Sequence, residues 1–176
     1  MPKLIFLIGS SGAGKTAVLK SVEAMRLKNL VVCYSDSRPV PSTEDMIAEC
    51  GSQEEWQRRN TMRWVKSIKE SHLTKNDVLF DIQSQPSFID EACAENGIAS
   101  YKIVLFDCSD DERKRRLIER KQPELAHDRM TAWAKYLRER CASKNLAIID
   151  NTDSTIQQSL VELLEVMERA SEAKRM

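Results

Sequence analysis

Gly9-Ser10-Ser11-Gly12-Ala13-Gly14-Lys15-Thr16 fits the pattern G-x-x-x-x-G-K-[ST], a loop whose backbone amides cradle phosphate groups. Its flanks follow the order that such a loop requires. Leu4-Ile5-Phe6-Leu7-Ile8 is a short apolar run, as expected of a strand buried on both faces. Thr16-Ala17-Val18-Leu19-Lys20-Ser21-Val22 opens a helical pattern that continues through Ala24 and Met25. Strand, glycine loop and helix together predict a Mg–nucleoside triphosphate site.

The spacing has a chemical reason. Glycines let the backbone approach a polyphosphate and turn successive N–H groups towards it, while the helix start adds a positive dipole. Lys15 has the reach for the β- and γ-phosphates, and the Thr16 hydroxyl suits a bound Mg²⁺. A glycine-rich turn without a ligand would need neither residue.

The chain has 176 residues, 41% hydrophobic and 31% charged, which predicts one soluble globular domain over 1–176. Its 27 basic and 27 acidic residues cancel, which counts against a surface built for nucleic acid. No stretch approaches the ~20 apolar residues of a membrane span. The first apolar run is already needed as a strand, so no secretory signal is expected. Cys33, Cys50, Cys93, Cys108 and Cys141 are scattered and odd in number, which predicts reduced thiols in a cytoplasmic protein. His72 and His127 stand alone and make no zinc site.

Four further apolar runs read as strands: Leu30–Tyr34, Val78–Phe80, Ile103–Phe106 and Leu146–Ile149. Helical patterns alternate with them, which predicts a parallel sheet covered on both faces. Ser52-x-x-Glu55, Ser109-x-x-Glu112 and Ser154-x-x-Gln157 are capping boxes, and Pro123 suits the first turn of a helix. From there Ala126, Met130, Trp133, Leu137 and Cys141 recur on one face, which makes Trp133 a core residue rather than a base-stacking platform. The last helix lines up Ile156, Leu160, Leu163 or Leu164, and Met167, with a fraying end at Lys174-Arg175. A helical excursion over about 43–72 is longer than the ~12 residues of a simple crossover. In it Met46, Ile47, Trp56, Met62, Val65 and Ile68 offer apolar contacts. It reads equally as an acceptor-binding insertion or as an enlarged packing element.

In an open parallel sheet, ligands bind beyond the carboxyl ends of the strands. That rule selects Asp36 after the second strand, placed to orient an acceptor hydroxyl or take its proton, or else to cap a turn. It selects Asp81 after the third, in the arrangement of a strand-end carboxylate that holds Mg²⁺. Gln83 and Gln85 lie on the same rim, as hydrogen-bonding partners for an acceptor or ties for the loop. After the fourth strand, Arg113, Arg116 and Arg120 form a stripe that could clamp a phosphoryl group. Asp110, Asp111, Glu112 and Glu119 could equally neutralise it.

Arg116-Leu117-Ile118-Glu119-Arg120 looks like the R-L-x-x-R segment that opens the lid of the small P-loop kinases. With the Gly9–Thr16 loop, the chain resembles that group, which includes adenylate, shikimate and gluconate kinases, over nearly its full length. Asp81-Ile82-Gln83-Ser84-Gln85-Pro86 resembles its D-G-x-P-R segment, without the glycine and arginine. Ile149-Asp150-Asn151-Thr152 is similar to the strand end that packs near the adenine.

The resemblance implies a three-layer α/β/α fold with a five-stranded parallel sheet in the order 2-3-1-4-5 and a short helical lid at about 116–130. It implies ATP as phosphoryl donor, held by Gly9–Thr16 with Thr152 near the base. Arg116 and Arg120 would contact phosphates as the lid closes, with Arg129 beside it. Asp36 matches the strand-two aspartate that engages the acceptor hydroxyl or magnesium. The missing glycine and arginine argue against a nucleoside monophosphate acceptor; Arg38 and the Glu54–Gln57 region would shape a different pocket. The expectation is an ATP- and Mg²⁺-dependent kinase of a small molecule, a nucleotide, sugar or other hydroxyl compound. Its rivals are a nucleotide-controlled switch and a kinase of nucleic-acid ends.

Overall fold

Alternate residues of β1 (Leu4–Ile8) point to opposite sides of a sheet and feed two separate apolar cores. Leu4, Phe6 and Ile8 enter one, Ile5 and Leu7 the other, and all five are buried. The computed structural model describes residues 3–172. β1 is the middle strand of five, with β2 (Leu30–Tyr34), β3 (Asp77–Asp81), β4 (Tyr101–Asp107) and β5 (Ala147–Asp150). The order is β2-β3-β1-β4-β5 and every pair is parallel, as expected. Only strand ends differ from the apolar runs: β3 and β4 take in the flanking aspartates, and β5 starts one residue late.

Parallel neighbours need crossovers, and the crossovers cover both faces. One core is closed by α1 (Lys15–Ala24) and α7 (Ile156–Glu172) through Val18, Leu19, Val22, Leu160 and Leu163. The other is closed by α3 (Gln53–Ser71), α4 (Pro86–Glu95) and α6 (Asp128–Ser143), through Trp64, Val65, Ile68, Ile89, Leu137 and Cys141. Among the described residues no helix is long and apolar enough to cross a membrane. The five cysteines are free.

The excursion over 43–72 is two helices, α2 (Thr43–Cys50) and α3, each started by a serine cap. Trp64, Val65 and Ile68 make α3 a packing element, whereas Ile47 of α2, expected to pack, is exposed. Ser52 and Ser109 cap as read, the latter starting α5 (Asp110–Glu119). The third capping box is one residue further along. Thr155 accepts from the Gln158 N–H and Gln158 Oε1 accepts from the Thr155 N–H. α7 begins at Ile156, so the capping position falls on Thr155 and Ser154 lies one residue before it.

Pro123 opens a single 3-10 turn, Pro123–Leu125, rather than α6. The backbone leaves helical geometry at Ala126 and is extended at His127, whose Nδ1 caps α6 by accepting from the Met130 N–H. Ala126 is therefore outside the apolar stripe. Trp133 packs against the core and stacks on Tyr136. In α7, Leu160 and Leu163 are buried but Ile156 is exposed, and Lys174-Arg175 lie outside the described residues.

Candidate active site

The Gly9–Thr16 loop joins the end of β1 to α1, where the strand ends converge. Gly12 has φ +83°, and a Cβ there would sit 2.8 Å from Arg113 Cγ and 2.9 Å from Leu117 Cγ. Only glycine lets the loop rest on α5 in this way. α1 begins with no side-chain cap and no acid in its first turn, which leaves its positive end to an outside anion. Ser10 Oγ is buried and has no hydrogen-bond partner.

Lys15 folds back across the loop. Its Nζ donates to the carbonyls of Gly9 (2.9 Å) and Ser10 (3.4 Å) and lies 3.7 Å from Asp81 Oδ1. Asp81 ends β3 and is mostly buried. Burial pushes its carboxyl above the ordinary carboxylate range, Lys15 pulls it back, and the charge of Asp36 pushes it further up. Asp36 is exposed in the 3-10 turn Ser35–Ser37, just beyond β2, where Tyr34 pairs with Asp81 in the sheet. Lys15 and both carboxylates thus meet at one end of the sheet, beside the first turn of α1 to which Thr16 belongs.

Beside the loop lies a cavity of about 420 Å³, walled by Gly14, Val18, Phe106, Arg116, Arg120 and Asn151 among others. Arg116 is spent on protein acceptors here. Its Nε donates to Glu112 (2.7 Å), Nη1 to the Ala13 carbonyl (3.3 Å) and to Asn151 Oδ1, and Nη2 to the Asn151 carbonyl (3.0 Å). Glu112, held by Arg115 and Arg116, has its carboxyl pulled down to about 2. Arg120 lines the cavity from just past the end of α5.

The fold that carries this site has counterparts among solved structures. A gluconokinase from Sinorhizobium meliloti 1021 matches 99% of this chain and 96% of its own, with 16% identity and a TM-score of 0.64. A shikimate kinase from Bacteroides thetaiotaomicron matches 95% and 98%, with 21% identity and a TM-score of 0.62. A sugar kinase from Janibacter sp. HTCC2649 matches 96% and 95%, with 14% identity and a TM-score of 0.61. The fold is that of the small P-loop kinases. No protein-family model matches the chain, and no curated protein matches it in sequence.

Within that P-loop kinase fold, several residues sit elsewhere than their spacing suggested. Arg113 does not extend the stripe of Arg116 and Arg120. It is 1% exposed, pairs with Asp110 and lies 3.9 Å from Asp107, because its stem is the surface on which Gly12 rests. Arg115 takes its place on the cavity wall, paired with Glu112 and Glu119. The segment expected as the lid contains the end of α5, the 3-10 turn and the first turn of α6. Arg129 at its far end donates to Gln53 Oε1 at 2.9 Å and so bridges to the start of α3.

On the opposite side, Arg38 lies 3.9 Å over the Trp64 ring and donates to Ser67 Oγ. Gln83 offers its carbonyl to Gln57 Nε2. Gln85 is 7% exposed and ties the loop down, donating to Glu54 and accepting from Ser87 and Tyr136. The arginines of α3 turn to carboxylates: Arg58 to Glu55 and Glu91, Arg59 to Glu55, Arg63 to Glu49.

Thr152 bonds Asp150 and accepts from the Ser109 N–H, which joins β5 to the start of α5. Asn151, its neighbour, is the cavity residue. The strand-end rule that selects Asp36 and Asp81 applies equally to Asn151, the first residue beyond β5. Nothing in its local spacing marks it, since its partners are Ala13 and Arg116, far away in sequence.

Proposed function

We propose that the protein transfers the γ-phosphoryl group of Mg·ATP to the hydroxyl of a small molecule. One observation carries the reading: Lys15, held on the carbonyls of its own loop, stands 3.7 Å from the strand-end carboxylate Asp81, under a loop open to an anion. A structural turn has no use for a cation and a buried carboxylate at this point.

The donor set fits magnesium. Mg²⁺ takes one or two carboxylates and fills its other positions with waters and phosphate oxygens. Thr16 and Asp81, with Asp36 nearby, match that need, and a desolvated Asp81 gains from a cation beside it. Among the described residues no three His, Cys, Asp or Glu side chains gather into a metal cage, so phosphate oxygens would complete the shell. When bound, the ion would neutralise charge on the β- and γ-phosphates.

The chain's own groups supply the rest. Loop amides and Lys15 position the triphosphate, with the nucleoside in the cavity walled by Gly14, Phe106 and Asn151. Asp36 orients the acceptor hydroxyl or takes its proton. Arg120 meets the phosphates as the 120–127 segment closes and excludes water, which would otherwise divert ATP to hydrolysis. The similarity of the gluconate, shikimate and sugar kinases supports a hydroxyl acceptor of that size. The test is ADP release from Mg·ATP with and without a panel of nucleoside monophosphates, sugars, hydroxy acids and polyols. Stimulation by one acceptor, with phosphate appearing on it, is the expected result. ADP release that no acceptor changes, together with a protein partner that tells ATP from ADP, would replace this reading by a nucleotide switch.

A further inference from the structure

Asn151 is 2% exposed, and each of its four polar groups has a partner. Its backbone N–H donates to the Asp107 carbonyl at 2.9 Å, and its carbonyl accepts from Arg116 Nη2 at 3.0 Å. Its side-chain Nδ2 donates to the Ala13 carbonyl at 2.8 Å, and Oδ1 accepts from Arg116 Nη1. The amide orientation follows from these neighbours, because the flipped form would set oxygen against oxygen and NH₂ against a guanidinium. A short side chain with both a donor and an acceptor is required here, which neither Asp nor Ala provides.

The Ala13 carbonyl and the Gly14 N–H belong to one planar trans peptide, so they point in opposite directions. A hydrogen bond that holds the Ala13 oxygen on Asn151 therefore fixes the Gly14 N–H facing away from it. Gly14 has φ +97° and heads α1, in the part of the loop that would cradle a phosphate. The same side chain holds Arg116, which also donates to Ala13 and whose Nη1 lies 3.3 Å from where a Cβ on Gly14 would stand. We propose that Asn151 is a positioning residue that aims the Gly14 N–H at the nucleotide's phosphates and locks Arg116 to the loop. This rests on the nucleotide-site reading given above.

Asn151→Asp separates the two duties. A carboxylate still accepts from Arg116, but it has no proton for the Ala13 carbonyl and repels it. Direct binding of Mg·ATP and of AMP to the purified full chain, without any acceptor, reads the effect. Loss of the aimed N–H should weaken ATP binding about tenfold, the scale of one hydrogen bond to a charged group. AMP, which does not reach the same part of the loop, should lose much less. A merely structural role would lower both affinities alike, along with the melting temperature, and that result would overturn the proposal. So would ATP binding equal to wild type. If Asn151→Asp does not fold, Asn151→Ser, which is too short to span both partners, is judged by the same ATP-to-AMP ratio. Wild-type chain that binds no Mg·ATP would sink the nucleotide site and this inference together, whereas an unchanged ratio sinks the inference alone.

Discussion

Gly9 lies directly against the Phe106 carbonyl: a Cβ built on Gly9 would stand 2.3 Å from that oxygen, with φ at +155°. The loop thus leaves β1 by pressing its backbone on β4, and that contact sets where Lys15 can reach. Backbone cannot yield as a side-chain end can, so Gly9→Ala must move the loop. The expected cost is about 2–4 kcal/mol, the scale of overpacking combined with strain at a special backbone angle. Urea unfolding should show it, and an unchanged midpoint would mean that the loop is not wedged against β4.

Asp107 accepts from Arg138 Nε at 2.6 Å and lies 3.9 Å from the buried Arg113 guanidinium. Arg113 Nη1 is buried without a hydrogen bond, so the nearby carboxylate is its compensation. Asp107→Ala should destabilise the chain by about 1–3 kcal/mol, because Asp110 still pairs with Arg113 while Nη1 loses its nearby carboxylate. Arg113→Met in the same background should restore part of the loss, measured by the same unfolding curve.

Glu112 gives a pH signature. Its carboxyl is pulled from the usual value of 4.5 to about 2, first by its bond to Arg115 and then by Arg116. A depressed acid stabilises the folded state fully above its unfolded value, and that contribution fades as pH falls through the folded one. Between pH 4.5 and 2 the melting temperature of Glu112→Gln should therefore fall less steeply than that of wild type. Parallel curves would place the two arginines on other partners in solution.

The thiols should divide by burial. Burial pushes Cys93 up to about 12 and Cys141 up to about 11, and it also raises Cys108. All three are buried, whereas Cys33 and Cys50 are half-buried. At pH ~8, near an ordinary thiol's value, a thiol reagent should modify Cys33 and Cys50 and spare Cys93, Cys108 and Cys141 until the chain is unfolded. Mass mapping of the alkylated peptides decides this.

The parallel β/α alternation, the two-faced β1 and the loop at Gly9–Thr16 were legible in the sequence because they rest on local spacing, whereas the strand order came only from the resemblance to the small P-loop kinases. Apolar alternation, glycines and caps act over a few neighbouring residues. The misplaced arginine and glutamine roles concern partners distant in the chain, whereas the Thr155 cap and the Pro123 turn are set locally. Arg113, Arg116 and Arg120 share one spacing, yet Gly12 buries the first, and the second is held by Asn151 and Ala13. Helical period alone cannot tell a buried arginine from a cavity arginine. Thr155 rather than Ser154 is the cap because α7 begins at Ile156, one residue beyond the start that the spacing suggested. Gln85 became a tie for its loop once Tyr136 and Glu54 arrived from other helices.

The most direct test of the central claim is Lys15→Ala, assayed for acceptor-stimulated ADP release from Mg·ATP beside wild type. In the proposed reaction Lys15 meets the transferring phosphoryl charge, so turnover should fall about 100-fold or more, the scale of losing a positioned charge at such a centre. The fold should persist, because Lys15 belongs to neither apolar core and its hydrogen bonds run to the Gly9 and Ser10 carbonyls of its own loop. Unchanged turnover in the folded variant would contradict the account.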